Sequence, residues 1–341
     1  MKKCISISVF ILLFSIFHNV NGQGISKVGT SSANFMKIEV GAKSSAIGGA
    51  FVSIANDLTA MYWNPAGLVL NDGIGAQFEN LQLYADISHN FAALAFPITQ
   101  DFKVGLSAIY LSSGDIEITT ESEWEGTGQY YEVTNMSLGL TFARRMTQRL
   151  EAGLTVKYLR EAIWRNTAET FAVDFGLLLH TNIYGFNIGM SLTNVGPPMQ
   201  MRGIDMQFEA QADHEGLLKE PAQLLSEEWT LPTSFRVGIS SSLIGRKSDF
   251  LKSENSDLLV AVDLSSALDS NLRTNLGIEY VYAEQFKLRA GYRIGFDEVT
   301  YSLGAGVMLR IGGFGIVAFD YSYSDFGVFD GVHRFGLYIN P

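Results

Sequence analysis

The sequence predicts an all-β protein: a transmembrane antiparallel β-barrel of about fourteen strands, with an N-terminal hatch that contains a short helix. Three observations predict it. From about residue 75 onward, apolar and polar residues alternate almost without a break, the period of strands with one apolar and one polar face. The alternating runs reach about 9–12 residues, the length a tilted strand needs to cross a bilayer. No run after Phe17 is long and apolar enough for a transmembrane helix, yet 47% of residues are hydrophobic, and glycine (34), Phe (23) and Tyr (14) are plentiful while proline is scarce (7).

Residues 1–22 read as a secretory signal: Met1-Lys2-Lys3, an apolar stretch from Ile5 to Phe17, and Val20-Asn21-Gly22 before a cut. Cys4, the one cysteine, lies inside it, ahead of the apolar run and badly placed for lipidation. The remaining chain therefore has no disulfide and no thiolate metal site. Two of the 24 basic residues leave with the signal, so 22 face 35 acidic ones, a net of −13. An acidic exported chain is a poor nucleic-acid binder.

Residues 23–73 precede the first strand and are expected to lie inside the barrel as the hatch, entering from the periplasmic end. Their distinctive stretch is GAKSSAIGGAFVSIANDLTAMYWNPAGL (41–68). Gly48-Gly49 permits close packing. Asn56 can cap a short helix over 57–63, with Asp57 in its first turn. Tyr62 and Trp63 would anchor the helix, and Asn64-Pro65-Ala66-Gly67 would stop it and turn the chain into strand one.

Residues 74–341 supply the barrel. The runs fall near 75–85, 87–98, 102–113, 131–145, 150–161, 168–180, 184–195, 233–243, 257–267, 272–283, 286–297, 300–311, 314–324 and 331–340. In 286–296, Phe286, Leu288, Ala290, Tyr292, Ile294 and Phe296 share one face, and Lys287, Arg289 and Arg293 the other. Phe171, Val173 and Phe175, with Leu276, Ile278 and Tyr280, are expected to face lipid. A soluble sandwich also alternates, but glycines and fixed charges on the polar faces suit a lumen. Arg273, Glu279, Lys287, Arg289 and Arg293 are the lumen charges, expected to pair. Gly105, Gly139, Gly153, Gly176, Gly189, Gly238, Gly277 and Gly291 take the inward parity, where another backbone can approach closely. Connections 114–130, 162–167, 196–232 and 325–330 are long and alternate with short ones, as external loops alternate with periplasmic turns. The polar turn 244–256 is the exception, and an even strand count returns both ends to the periplasm.

Sites of chemistry are sparse. His89, His180, His214 and His333 are scattered without metal-ligand spacing, and no GxSxG, P-loop or HExxH occurs. The glycine-rich 304–315 lies in a strand–turn–strand. Glu121, Glu123 and Glu125 could hold Ca²⁺, but a solvated loop is the simpler reading. No enzyme activity and no cofactor are expected.

The 41–68 stretch resembles the N-terminal signature of the PorV/PorQ family of outer-membrane proteins, itself similar to FadL-type barrels. The similarity continues through YADISHNFAALAFPI (84–98), EGTGQYY (125–131), LTNVGPPMQMRG (192–203), LPTSFRVGIS (231–240), LRAGYR (288–293) and DFGVFDGVHRFGL (325–337). Asn56 stands where an aspartate is commoner, and the chain ends Tyr338-Ile339-Asn340-Pro341 instead of on an aromatic residue. The resemblance implies a bacterial outer-membrane location and a part in type IX-like protein secretion or surface attachment, with secreted proteins or attachment machinery as partners besides membrane lipid. Met199, Met201, Met206 and Phe208 would then form an adaptable docking loop. The alternative is a FadL-like channel for a lipid-like or other small hydrophobic molecule.

Overall fold

A computed structural model describes residues 29–181, 183–211, 219–246, 248–296, 299–313, 315–329 and 331–341. The expected signal and His214 lie outside them.

Fourteen strands form the wall: β1 (Gly75–Gln82), β2 (Ser88–Thr99), β3 (Phe102–Glu117), β4 (Tyr130–Arg145), β5 (Leu150–Ile163), β6 (Asn166–His180), β7 (Asn187–Val195), β8 (Ser234–Ile244), β9 (Ser256–Ala267), β10 (Arg273–Tyr282), β11 (Phe286–Ile294), β12 (Tyr301–Ile311), β13 (Gly315–Asp325) and β14 (Gly331–Asn340). Each pairs antiparallel with its neighbours, and β1 pairs with β14 from Ala76↔Ile339 to Gln82↔His333, which closes the barrel. Closure leaves no strand edge, the condition for a sheet in lipid.

The pleat sorts the side chains. Gln77, Glu79 and Leu81 of β1 are buried inward, while Phe78 between them faces out. Phe171, Phe175, Ile278 and Tyr280 are exposed on the outer face, and Leu276 is half-buried there. Rows across the wall follow the register. Tyr110 of β3 opposes Asn90 and Met136 in one outward row, and eight residues away Phe102 opposes Arg144 in another. That separation is about 27 Å along a strand and about 21 Å of height at a tilt of about 40°, close to the apolar band of an outer-membrane barrel.

One connection differs from expectation. Residues 162–167 are no loop: β5 and β6 run on to a two-residue turn, with Trp164 at φ 53 and Ile163 paired to Asn166. The long connections 118–129 and 196–233 share the end of that turn. Above Val173, β6 leaves β7 and pairs Asn166 and Thr167 with Gly203 and Arg202 of the 196–233 connection instead.

The N-terminal segment runs through the barrel. Ser31 bridges Thr230, and Lys37 pairs with Asp269 in the β9–β10 turn, so the segment starts at the end that carries the long connections. It leaves beside Asn340, the last residue of β14, whose side-chain amide donates to the Asp72 carbonyl. The expected entry from the periplasmic end is thus reversed. Two short helices lie on this path, α1 (Ala42–Ala46) and α2 (Ala60–Trp63), followed by a 3-10 turn over Pro65–Leu70.

Candidate functional site: the filled barrel interior

A chain inside a barrel must find partners for its backbone groups, because short helical turns satisfy few of them. Here the wall supplies them. Glu79 accepts from the Ala42 amide (2.8 Å), Gln77 from Leu58 (2.9 Å) and Asp263 from Val52 (2.7 Å). Arg293 donates to the Gly48 carbonyl (3.1 Å) and Ser302 to that of Ala46 (3.3 Å). The contacts come from both sides of the lumen, and almost every residue between Val40 and Val69 is buried.

Wall glycines make room for this path. A Cβ at Gly153 would lie 2.3 Å from the Pro65 carbonyl carbon, one at Gly189 2.2 Å from the Val52 oxygen, and one at Gly291 2.0 Å from the Gly48 nitrogen. Gly105, Gly176 and Gly277 also meet the segment. Gly139 and Gly238 do not: they give space to Ser107 and Asp263 of the wall itself.

Within the segment, Gly48 (φ 68) and Gly49 (φ 76) take the left-handed conformation that favours glycine. Gly67 is required sterically, since a Cβ there would sit 1.8 Å from the Ala55 carbonyl oxygen. The helix starts later than expected. The regular turn begins at Ala60, with Thr59 at its N-cap and no side chain capping it, and Asp57 accepts from the Thr59 amide (2.9 Å) just ahead of it. Asn56 instead accepts from Lys43. Tyr62 donates to the Met36 carbonyl (2.9 Å) and Trp63 to that of Val40 (2.8 Å), so both rings tie the segment to itself. Arg236 of β8 lies over them, 5.8 and 5.3 Å from the ring centres. Asn64, fully buried, donates to Val52 and to Leu177 of β6 and accepts from the Ala66 amide after Pro65.

The lumen charges divide. Arg289 bridges Glu279 (2.6 Å) and Asp320 (2.5 Å), and Arg293 pairs with Glu39 of the segment (2.5 Å). Lys287 is half-buried close to this group. Arg273 departs from expectation, lying 4.5 Å from the Phe296 ring. The cause is local: β11 ends at Ile294, Gly295 turns at φ 83, and Phe296 swings off the lipid face over the two guanidiniums. Sequence reading missed the second polar cluster, in which Lys157 reaches Asp174 (2.5 Å) and Asn194 (2.9 Å) at the bulge where β6 and β7 part. Its signal was the inward parity shared by Lys157 and Asp174.

The four residues of the expected docking loop differ in exposure. Met199 is buried against the barrel mouth, Met201 and Met206 are half-buried, and Phe208 is exposed. Glu121, Glu123 and Glu125 are exposed, and among the described residues no His, Cys, Asp or Glu cluster could hold a metal. His180 contacts Glu151 and Asn187, His333 contacts Tyr321, and His89 is buried.

The sequence matches no family model and no curated protein. Solved structures match the fold. A FadL homologue from Pseudomonas aeruginosa is 12% identical at a TM-score of 0.53, over 87% of this chain and 96% of that one. The monoaromatic hydrocarbon channel CymD is 13% identical at 0.56, over 89% and 96%. The toluene transporter TodX of Pseudomonas putida is 11% identical at 0.53, over 88% and 96%. Identities this low speak for architecture alone. With its closed wall, apolar belt and filled lumen, the chain has the fold of a FadL-like bacterial outer-membrane barrel.

Proposed function

We propose that this protein is an outer-membrane channel for small hydrophobic molecules, with residues 38–70 as a hatch that closes the lumen. The observation that carries the proposal is how the segment is held. Side-chain hydrogen bonds, the Glu39–Arg293 ion pair and glycine contacts fasten it, and among the described residues no strand ladder joins residues 38–70 to the wall. Such fasteners are individually worth about 0.5–3 kcal/mol and can be exchanged for water. The structural neighbours named as hydrocarbon channels support this reading, which favours transport over catalysis.

Uptake of toluene into proteoliposomes tests it. The intact barrel should admit toluene faster than protein-free vesicles, and faster still with Gly41–Trp63 deleted. Uptake at the protein-free rate by both would overturn the proposal.

A second reading rests on the PorV/PorQ resemblance: docking of secreted proteins on the outer loops. One feature favours it. The 196–233 connection carries its own strand pair, Gln207–Gln211 with Lys219–Gln223, in which Phe208 is exposed and after which Leu224 and Leu225 are exposed too. Co-purification of a secreted protein that is lost on deleting 204–225 would support this reading over the channel. The solved neighbours favour the channel.

A further inference from the structure

One cavity of about 730 Å³ lies outside the lumen. It is a groove on the outer wall, across β1 to β6, within the size range of small-molecule sites. The register explains its shape. One outward row reads Phe78, Ala92, Ala108, Leu138 across four neighbouring strands. Two alanines side by side leave a trough between an aromatic and a branched side chain, both of which project from the wall. The next row toward the periplasmic side, Leu94 and Leu106, forms its lower floor. The row toward the long-loop end is polar: the Asn80 amide donates to Asn90 (2.8 Å), and Tyr110 stands beside Asn90 on β3.

We propose that this trough is a seat for one acyl chain of a membrane lipid in the outer half of the bilayer. Its headgroup region would meet Asn80, Asn90 and Tyr110. The belt rows place the trough inside the hydrocarbon and the polar row at its boundary, so the two parts of the site match the two parts of a lipid. A trough left unfilled forfeits dispersion contacts along its lining, and a flexible chain restores them on three sides. A second barrel is the poorer occupant, since a convex wall meets a narrow trough only at its rims. The inference does not depend on what the lumen conducts.

Photolabelling tests it. The full protein is placed in vesicles of phosphatidylethanolamine and phosphatidylglycerol that contain a phospholipid with a diazirine at mid-chain. Adducts on β2 and β3 should exceed those on the opposite wall, β10 and β11, by about fivefold or more. The Ala92→Phe/Ala108→Phe variant should lose that excess while keeping the wild-type gel shift on heating. An even distribution in the wild type would overturn the seat, and so would an excess that survives in the filled variant. Barrel-to-barrel cross-links at this wall would assign it to a second copy instead. Should the double variant not insert, the wild-type map decides together with Ala108→Leu.

Discussion

Gly291 is the position where one added side chain should disturb the interior most directly. Its Cβ would stand 2.0 Å from the Gly48 nitrogen, where ordinary contact begins at 3.4 Å, so the segment has to retreat by roughly 1.4 Å. Neighbouring backbone gives little room for this. Gly48 and Gly49 are both left-handed, and a Cβ at Gly48 would already be 3.0 Å from the Tyr292 nitrogen. Retreat also stretches the 3.1 Å bond from Arg293 to the Gly48 carbonyl beyond hydrogen-bonding range. Overpacking costs about 1–3 kcal/mol and loss of a bond to a charged group about 1.5–3 more. Gly291→Val should therefore destabilise the seated segment by about 2.5–6 kcal/mol while leaving the β10–β11–β12 ladder intact. In planar bilayers the variant should show openings absent from the wild type, and its folded form should unfold at a lower temperature on gels. Gly312→Val is the control, because a Cβ there meets nothing within 4 Å. Wild-type conductance together with wild-type heat resistance in Gly291→Val would refute the reasoning.

Other perturbations probe separate links. Lys157→Met should strand the fully buried Asp174 carboxylate and cost about 3–5 kcal/mol of heat resistance; Lys157→Met with Asp174→Leu should recover most of it, and equal loss in both would refute the pairing. Asp263→Ala should leave the Val52 amide unpaired at a cost of about 1–3 kcal/mol, read as faster hydrogen exchange at that amide. Cysteines replacing Phe171, Phe175 and Ile278 should resist water-soluble thiol reagents in membranes, and efficient labelling of all three would sink the lipid-facing assignment. Acid should loosen the start of the segment. Burial opposes ionisation of Asp269, but hydrogen bonds from Lys37 and Ser31 and the Lys37 charge outweigh it and hold the carboxyl below its ordinary range. A lowered folded value means the tether is complete above about pH 4 and is lost as pH falls through that value. A cysteine at Ser32, labelled at neutral pH and near pH 3, should react faster in acid; equal rates would count against the tether.

The wall was legible because strand alternation is a local signal. Runs such as 286–294 state their two faces without help from the rest of the chain, and the pairing Glu279↔Arg289 follows once β10 and β11 are adjacent. Ends of strands were less legible. Nothing in Trp164-Arg165 looks like a tight turn: the pair has no Gly, Asn or Asp, yet Trp164 adopts φ 53 because the β5–β6 ladder continues up to it. The same limit applies to Phe296, whose parity along the strand pointed outward until Gly295 broke the strand. The direction of the N-terminal segment could not be read at all. It depends on Ser31 meeting Thr230 and Lys37 meeting Asp269, contacts across about two hundred residues that no local pattern encodes.

The inward glycines show how far a parity argument reaches. Parity put eight of them on the lumen face, and it could not say which would meet a second backbone. The structure divides them by what lies opposite. Where the segment passes, at Gly105, Gly153, Gly176, Gly189, Gly277 and Gly291, the missing side chain is replaced by segment atoms. At Gly139 and Gly238 it is replaced by Ser107 and Asp263 of neighbouring strands. Asp263 links the two cases. Space at Gly238 lets its carboxylate lean into the lumen, and from there it accepts the Val52 amide. Gly238→Ala would crowd that carboxylate, with a Cβ only 2.0 Å from one of its oxygens and its three nearest atoms all belonging to Asp263. The glycines thus act on the segment by two routes, direct clearance and the positioning of its hydrogen-bond partners. Gly238→Ala should accordingly raise exchange at Val52 while leaving the amides near Gly48 protected, whereas Gly291→Val should do the reverse. Identical exchange patterns in the two variants would show that the segment moves as one rigid body, and the separate routes would then have no meaning.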